Sequence, residues 1–471
     1  MLNPKKKMTK MKNIVKIAIV AVAALALGTE ADAQLRTAYF MNGSTQRYDL
    51  NPALAPSRGF FTIPAVGGLY TSLESNFLSA ENFLYPNGEG SGVVTYMHKS
   101  VSAEEFLSKL PEQNNLEFGL NDQIIAIGNY FHGGFWSVGV KLRSETNIDI
   151  PKDFFALTKT LSQGTYNISG MGIESRNFLE ASLGYTFPVQ DVFTLGFRAK
   201  MLVGLAHIRA NIDQLDIEIG QESYTAKMAG TLESNIAGYS FESLTGEVTM
   251  DDFVGHITDF ANFDPSRISS IGFAVDAGIE WTFRDEQIRL SAAVNDLGYN
   301  AWDANNSFCA TIDNVNFAFN GYDIATNEVK FEKPESIALV ATPEKASGKT
   351  SLHTSIVAGL EYNFLGDKMS VGALWNTKMY ENRKWNSISG AFTLRPMTWL
   401  TASASYSYVN SLGVLGLAAN IHSSKFNLFA GVDYIATKYG TAKGGAIPVP
   451  LNQNSVNFAF GLSIPLGARM F

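Results

Sequence analysis

The feature that most constrains this chain is a two-residue alternation of apolar and polar side chains, which recurs along most of its length. In the stretch 425–436 the apolar face comprises Phe426, Leu428, Ala430, Val432 and Tyr434, and the polar face comprises Lys425, Asn427, Gly431 and Asp433. A period of two predicts β-strands with one face in an apolar medium and the other in a polar medium. A soluble β-sandwich shows the same alternation, so the leader, the connections and the number of strands must distinguish the two.

A basic and apolar leader begins the chain. Six lysines surround or interrupt an apolar run over residues 14–27, and Ala31-Asp32-Ala33 follows it. Small residues at these two alanine positions are what a signal peptidase reads, so we interpret residues 1–33 as a signal peptide cleaved between Ala33 and Gln34. A membrane anchor is the less favoured alternative because the apolar run is short for a span.

The alternation predicts fourteen strands after the leader, and most reach the ~9–11 residues that a tilted strand needs to cross a bilayer. They cover residues 60–73, 122–131, 135–144, 176–187, 192–208, 269–283, 287–297, 352–364, 369–380, 385–394, 399–409, 412–422, 425–437 and 455–466. An even number of antiparallel strands is typical of a closed barrel.

The connections differ in length according to their order. Every connection from an even to an odd strand is a tight turn, such as His132-Gly133-Gly134. The odd-to-even connections include the long segments 74–121, 145–175, 209–268, 298–351 and 438–454. Short helices are predicted within them at 102–110, 151–161 and 250–260. This asymmetry is typical of outer-membrane barrels, so the predicted fold is all-β, a transmembrane antiparallel β-barrel of about fourteen strands with short helices in its long outer loops.

Charged side chains fall on the polar faces of the predicted strands. Because Arg or Lys facing lipid at the midplane costs about 2–4 kcal/mol, these faces are assigned to the lumen. The candidate lumen-facing residues are Lys141, Arg143, Arg198, Lys200, Asp276, Glu280, Arg289 and Asp433. They could bind a permeant molecule or brace the barrel. Aromatic residues gather at strand ends and predict interfacial girdles; they include Tyr130, Phe131, Trp136, Trp281, Trp375, Trp385, Trp399, Tyr406 and Tyr408.

Several function classes find no support in the sequence. Without residues 1–33 the chain has 30 basic and 42 acidic residues, a net charge of −12, which argues against a nucleic-acid partner. Its six histidines are scattered and none has a metal-ligand spacing, and no nucleophile elbow is present. We therefore predict no enzyme activity, no cofactor and no metal. Cys309 is the single cysteine, so no intramolecular disulfide is expected.

Three short motifs carry a family resemblance. Asn51-Pro52-Ala53 precedes the first strand and resembles the Asn-Pro-Ala motif of FadL-like outer-membrane proteins. The segment from Asn295 to Tyr299, with Trp302 beyond it, resembles a strand end seen in Bacteroidota members, including the PorV-like proteins of type IX secretion. The aromatic last strand that ends in Phe471 resembles the signal by which the barrel-assembly machinery recognises such proteins.

The resemblance implies a domain organisation and a function. Residues 34–59 would form an N-terminal hatch around Asn51, Pro52 and Ala53, and residues 60–471 would form the barrel. FadL-like proteins pass hydrophobic or amphipathic small molecules passively through a lateral opening at a strand kink. Pro64 with Gly67 and Gly68 would be that kink, since Pro and Gly weaken a ladder. The alternative is a barrel without transport that contacts outer-membrane lipid and cell-envelope protein partners, in a PorV-like secretion or surface-assembly role.

Overall fold

A computed structural model of the chain describes residues 35–87, 92–160, 164–190, 192–219, 224–283, 287–303, 307–323, 328–332, 338–342, 348–379, 384–409, 412–442, 447–452 and 455–467. The signal peptide predicted at 1–33, its cleavage at Gln34 and the terminal Phe471 lie outside these residues. The strands are β1 (Gly59–Thr62), β2 (Leu69–Ser75), β3 (Leu84–Pro86), β4 (Val93–Thr95), β5 (Gln113–Phe131), β6 (Gly134–Pro151), β7 (Gly164–Ile168), β8 (Met171–Gln190), β9 (Phe193–Ile219), β10 (Tyr224–Ile236), β11 (Glu247–Thr249), β12 (Ser270–Phe283), β13 (Ile288–Trp302), β14 (Ser307–Asp323), β15 (Glu328–Glu332), β16 (Ala338–Ala341), β17 (Gly348–Ser351), β18 (Ser355–Phe364), β19 (Met369–Met379), β20 (Lys384–Met397), β21 (Leu400–Val409), β22 (Leu412–His422), β23 (Asn427–Ile435), β24 (Tyr439–Ala442), β25 (Ile447–Pro450) and β26 (Val456–Leu466).

Fourteen strand positions close into one antiparallel barrel. The order around the wall is β5, β6, β8, β9, β12, β13, β18, β19, β20, β21, β22, β23 and β26. The remaining position is shared by β1 and β2, which both pair with β26 on one side and with β5 on the other. Closure leaves no free strand edge, which is the condition for a sheet to cross lipid.

The predicted fold is confirmed in its strand number, order and closure. The helices predicted in the long loops are also present, at Ala103–Leu107, Lys152–Thr160 and Met250–Thr258. Two further short helices, Gln46–Leu50 and Ala80–Phe83, were not predicted. Among the described residues no helix is long and apolar enough to cross a membrane.

The outer surface of the wall is apolar and the inner surface is polar. On β12 the side chains of Ile271, Phe273 and Val275 are exposed, and Phe273 keeps 56% of its surface free. The alternate residues Ser270 and Asp276 are buried inside. A belt of exposed apolar side chains around a closed wall needs lipid to cover it. The barrel is therefore a membrane-spanning one.

Most of the strand-end aromatics that the sequence assigns to interfacial girdles are exposed on the outer surface, including Trp281, Trp375 and Trp399. Two of them are exceptions. The Tyr130 hydroxyl donates to the carbonyl of Pro56 at 2.8 Å, so this ring turns inward. Trp385 is buried with Val409 and Tyr434 on the inner side. Aromaticity alone did not reveal which face of the strand these two occupy.

The barrel is taller on one side. β9 has 27 residues and continues past the wall, where β10 pairs with it and with β14. β16 then joins β14 to β11, so that the sheet of the wall extends beyond the barrel at the end that carries the long loops. We call this the long-loop end and the opposite one the short-turn end.

Two apolar clusters hold the segments at the long-loop end. One packs the helix Met250–Thr258 on the extended part of the sheet through Phe253 and Phe308. The first turn of this helix is closed by a capping box between Thr249 and Asp252. The hydroxyl and the backbone amide of Thr249 donate to the Asp252 carboxylate and lower its pKa. The other cluster is mainly aromatic and joins the loop before β5 to the helix Lys152–Thr160; its buried members are Phe77, Tyr85, Val101, Phe106, Leu110 and Phe155.

Leu417 offers a direct test of the lipid-facing surface. It lies at the middle of β22 with 53% of its side chain exposed on the outer surface. Leu417→Arg should lower the free energy of unfolding by about 2–4 kcal/mol, because the charge would face hydrocarbon. The measurement is equilibrium unfolding in lipid vesicles. Val93→Arg is the control, since Val93 is 67% exposed in the β3–β4 hairpin at the long-loop end. Equal effects of the two substitutions would contradict the assignment.

Candidate functional site

Residues 35–58 fill the interior of the barrel, and we call them the plug. They form the short helical turn Arg36–Ala38, the helix Gln46–Leu50 and irregular backbone between and after them. Leu35, Ala38 and Met41 pack with Phe429 of β23 in one apolar cluster. Tyr39, Phe40, Leu50 and Leu54 pack with Val357, Leu374 and Ala391 in another. The plug therefore packs on two separate stretches of the wall.

The Asn51-Pro52-Ala53 motif forms a tight turn inside the plug. The Asn51 side-chain oxygen accepts from the amide of Ala53 at 2.9 Å, and its amide group donates to the Tyr39 hydroxyl at 3.2 Å. The carbonyl of Pro52 accepts from the hydroxyl of Thr186 on β8 at 2.6 Å. The polar groups of the motif thus form hydrogen bonds with one another, with Tyr39 of the plug and with the hydroxyl of Thr186 on the wall.

Glycines on the wall make room for this turn. A Cβ at Gly196 of β9 would lie 2.0 Å from the carbonyl oxygen of Pro52, and a Cβ at Gly278 of β12 would lie 2.0 Å from the side-chain oxygen of Asn51. Such contacts are far shorter than van der Waals distances. The plug can approach the wall here only because both positions lack a side chain.

Wall side chains bind the backbone carbonyls of the plug. The guanidinium of Arg395 donates to Phe40, that of Arg198 donates to Tyr48, and Asn295 donates to Leu50, at 2.9, 2.7 and 2.8 Å. A buried carbonyl without a donor costs free energy, and a short irregular segment cannot satisfy all of its own. The wall therefore supplies the hydrogen bonds that a regular element would have made internally.

The start of the plug is held by Asp433. The amide of Arg36 donates to one carboxylate oxygen at 2.8 Å and the hydroxyl of Thr37 donates to the other. The Arg36 guanidinium donates to the Tyr434 hydroxyl at 2.7 Å. Tyr434, expected to face lipid, instead turns inward, because a bulge between β22 and β23 gives it a left-handed backbone with φ of 65°.

A buried charge network lies beneath the plug. Its centre is Asp296, whose Oδ1 atom is 2.8 Å from the Arg143 guanidinium and 2.6 Å from the Lys200 ammonium. Arg143 also contacts Glu180 at 2.9 Å, and Lys200 contacts Asp276 at 2.8 Å. All five groups are almost completely buried. Breaking one member would leave an uncompensated buried charge.

The network extends into the plug through Asp49. Arg198 contacts Asp276 at 3.1 Å and Asp49 at 3.9 Å, and Lys141 contacts Asp49 at 3.2 Å. The guanidinium of Arg198 also lies over the Tyr48 ring at 4.6 Å from its centroid. The network thus joins the cations Lys141, Arg143, Arg198 and Lys200 to the carboxylates Asp49, Glu180, Asp276 and Asp296, and Arg143 also contacts the buried Glu145 at 3.4 Å.

The two remaining candidates lie nearer the short-turn end. Glu280 contacts Arg47 of the plug at 3.8 Å. Arg289 stands opposite Glu361 in the β13–β18 register and on the same inward face as Ser291, whose hydroxyl bonds Tyr39 at 2.9 Å. All eight residues that the sequence assigned to the lumen thus lie on the inner side of the wall.

Sequence reasoning missed three members of the network. Asp49 stands in the segment read as a hatch, Glu180 alternates inward on β8, and Asp296 belongs to the Asn295–Tyr299 motif. Asp296 adopts φ of 59°, a left-handed conformation that Asp tolerates better than most residues. The sequence signal that could have indicated Asp296 is an acidic residue within the Asn295–Tyr299 motif, at an irregular point of the strand.

The space left between plug and network is small and polar. A cavity of about 30 Å³ is lined by side chains of both, including Asp49, Tyr70, Lys141, Arg198 and Asp296. It is about the size of one water molecule. In the described part of the chain, no group of three or more His, Cys, Asp or Glu residues is placed to hold a metal ion.

The wall is interrupted at the predicted kink, which we call the seam. From Thr62 to Leu69 the chain advances seven positions while its partner β26 moves only three, from Ser463 to Phe460. Residues Pro64, Ala65 and Val66 bulge out and are exposed. Ala65 has φ of 66°, and a Cβ at Gly67 would lie 2.4 Å from the Cβ of Thr62.

Side chains bridge the seam where the ladder stops. The Thr62 hydroxyl accepts from the amide of Ala126 at 2.5 Å and donates to its carbonyl at 3.2 Å. On β5 the side-chain amide of Gln123 donates to the carbonyls of Ile125 and Val140, both at 2.9 Å, beside a bulge of its own strand. Three isolated backbone hydrogen bonds also cross the seam, from the amide of Ile63 to Leu462, from that of Leu462 to Val66 and from that of Gln123 to Gly68. The wall here is closed by these bonds and the Thr62 side chain instead of a continuous ladder.

The glycine contacts predict how the plug can be loosened. Gly278→Ala should push the Asn51 turn away from β12, so that trypsin cleaves after the now buried Arg36 and Arg47. Mass spectrometry of the digested, detergent-solubilised protein would detect the cuts. Gly390→Ala is the matched control, because no atom lies within 4 Å of the added Cβ on β20. Resistance of both variants to trypsin would refute the tight fit.

The network predicts a large effect of one charge. Asp296→Asn keeps a residue that accepts the left-handed backbone and removes only the carboxylate, so that Arg143 and Lys200 each lose a buried ionic partner. The free energy of unfolding should fall by about 3 kcal/mol. Asp264→Asn, in an exposed outer loop where the carboxylate accepts from Ser266, should change it by less than about 1 kcal/mol. A small effect at Asp296 would mean that the network does not hold the barrel together.

Among solved structures, the chain is similar to the P. putida toluene transporter TodX, with 9% identity, 90% of this chain and 95% of that chain covered, and a TM-score of 0.44. It is similar to the monoaromatic hydrocarbon channel CymD with 10% identity, 91% and 94% coverage and a TM-score of 0.41. No curated protein matches it. Residues 52–433 match DUF5723, a family of unknown function. The chain belongs to the DUF5723 family.

Proposed function

We propose that this protein lies in the outer membrane and passes hydrophobic or amphipathic small molecules sideways through the seam, in the manner of a FadL-like barrel. The observation that carries the proposal is the break in the wall between Thr62 and Leu69. The export of the chain by its predicted leader, and assembly through the aromatic C-terminus with Phe471, belong to the same proposal.

An axial route is the less favourable one. The plug is bound to the wall through the carbonyls of Phe40, Tyr48 and Leu50, and the network beneath it is fully paired. An apolar solute in the 30 Å³ cavity would displace hydrogen bonds of buried charges and gain apolar contact with only Leu35, Leu50 and Tyr70. Small-molecule pockets commonly enclose ten times this volume or more.

The seam, by contrast, has few bonds to break. Opening it requires release of the two Thr62 hydrogen bonds to Ala126 and of three backbone hydrogen bonds, from Ile63 to Leu462, from Leu462 to Val66 and from Gln123 to Gly68. The backbone of Pro64 and Ala65 already lies outside the ladder, so the strand pairing of β26 and β5 elsewhere can persist. Elsewhere in the described wall the irregularities are local bulges within paired strands.

A second function is favoured by a separate observation. The lumen holds the plug, and the sheet of the wall extends beyond the barrel at the long-loop end through paired strands. Both features suit a barrel that presents a surface to cell-envelope partners, as in a PorV-like secretion or surface-assembly role. Such a barrel would need no opening of the seam.

A reversible lock across the seam tests transport. Thr62→Cys with Ala126→Cys, in a Cys309→Ala background, places two inward-facing cysteines where the Phe61–Ile127 register would continue. Uptake of radiolabelled toluene and oleate by cells with an outer membrane would be measured. Oxidation should reduce uptake to the level of cells without the protein, and a reductant should restore it, because the disulfide holds the seam closed.

The control pair is Ser389→Cys with Ser407→Cys. These serines face inward on the continuous β20–β21 ladder, with their hydroxyls 2.7 Å apart. Their disulfide should leave uptake unchanged. If uptake depends on the protein but is the same with the seam disulfide oxidised or reduced, the lateral route is excluded. If uptake does not depend on the protein at all, the interaction function is favoured.

A further inference from the structure

A second, larger cavity lies at the short-turn end, between the plug and the rim of the barrel. Its volume is about 260 Å³. The plug contributes Gly43, Thr45 and Pro56 to Arg58, and the rim contributes β1, the turn before β21, the turn between β22 and β23, and the end of β26. Its polar side chains are Thr45, Ser57, Arg58, Thr398, His422, Ser423, Ser424, Asn427 and Ser463.

The lining has a one-sided charge character. It contains Arg58 and His422 but no carboxylate. Elsewhere in the lumen the arginines are matched by acids, as Arg198 is by Asp276 and Arg395 by Glu361. No carboxylate among the described residues lies within salt-bridge distance of Arg58, whose only hydrogen bond there is a long one of 3.5 Å from Nη1 to the carbonyl of Ser423.

Two buried polar atoms of this cavity have no partner. The Nε atom of Arg58 is buried and bonds to nothing among the described residues. Asn427 is only 9% exposed; its amide nitrogen donates to the carbonyl of Gly43 at 3.4 Å, while its Oδ1 atom is buried without a donor. Both atoms are enclosed by protein, so the part of Arg58 that a ligand in the cavity can reach is its Nη end, where the 3.5 Å hydrogen bond leaves most of the donor capacity free.

We propose that this cavity binds a phosphate group. The guanidinium of Arg58 would donate to phosphate oxygens, for which a planar fork of N–H groups is the best protein partner. Hydroxyls of the lining supply further donors.

The remaining lining suits the carbon part of such a ligand. Phe60, Pro56 and Pro465 form an apolar side of the cavity, and Trp399 stands exposed at the rim, at the level where aromatic side chains mark the membrane interface. The phosphate could therefore belong to a phospholipid headgroup or to free phosphate and small phosphate esters. The site does not depend on passage through the seam.

The experiment measures the thermal unfolding midpoint of the full chain in a non-ionic detergent. The probes are inorganic phosphate, glycerol 3-phosphate and dihexanoyl phosphatidylglycerol below its micelle concentration, each against chloride at equal ionic strength. A ligand that binds only the folded chain raises the midpoint in a dose-dependent way. Arg58→Gln should weaken the apparent affinity by about tenfold or more, since it removes a charge-assisted hydrogen bond.

Two further variants keep the test decisive. Asn427→Asp preserves the shape of the side chain but adds a negative charge to the lining, so it should abolish the ligand-induced shift, measured against the midpoint of the same variant without ligand. Arg267→Gln, in an outer loop at the opposite end, removes an equal charge and should keep the shift. A response to all three probes assigns the site to phosphate itself, and a response to the lipid alone assigns it to a headgroup. No shift with any probe, or an equal shift in Arg58→Gln, would overturn the proposal.

Discussion

The structure depends on one constraint: a closed sheet in lipid must satisfy every backbone hydrogen bond, and its interior must then be filled. The fourteen-strand ladder meets the first requirement. The plug meets the second, but as irregular chain it brings unpaired carbonyls into the lumen. Arg395, Arg198 and Asn295 donate to them, which explains why inward positions carry long polar side chains where smaller ones would have left room.

The charge network follows from the same constraint. Once guanidinium and ammonium groups enter a lumen that the plug has closed to water, each needs a carboxylate nearby. Asp296 serves both Arg143 and Lys200, and its backbone amide also donates to Asp276 at 2.8 Å. The left-handed conformation at Asp296 aims its carboxylate between two strands. A bulge that looks like a defect in β13 is therefore what positions the shared acceptor.

The sequence was a good guide to the wall because a period of two is a local property, set by the medium on each side. It failed where one extra residue shifts the period, as at Tyr434, and where an aromatic side chain serves the interior, as at Trp385. The pairing of β10 with β14 and of β16 with β11 could not be predicted, since these partners are far apart in the chain. Glu180 and Asp49 were missed because matching depends on which strands become neighbours.

The plug and the seam constrain each other. Gly67 of the seam and Gln46 of the plug both lie against Gly461 of β26. A Cβ added at Gly461 would be 3.2 Å from the carbonyl oxygen of Gly67 and 2.2 Å from the side-chain nitrogen of Gln46. The seam is thus backed directly by the plug helix Gln46–Leu50. Movement of this helix would remove the inner support of the seam. The ion pair between Asp49 of the helix and Lys141 of the buried charge network limits how far the helix can move. A small displacement of the plug, without its release, is therefore the motion that the packing allows to reach the wall.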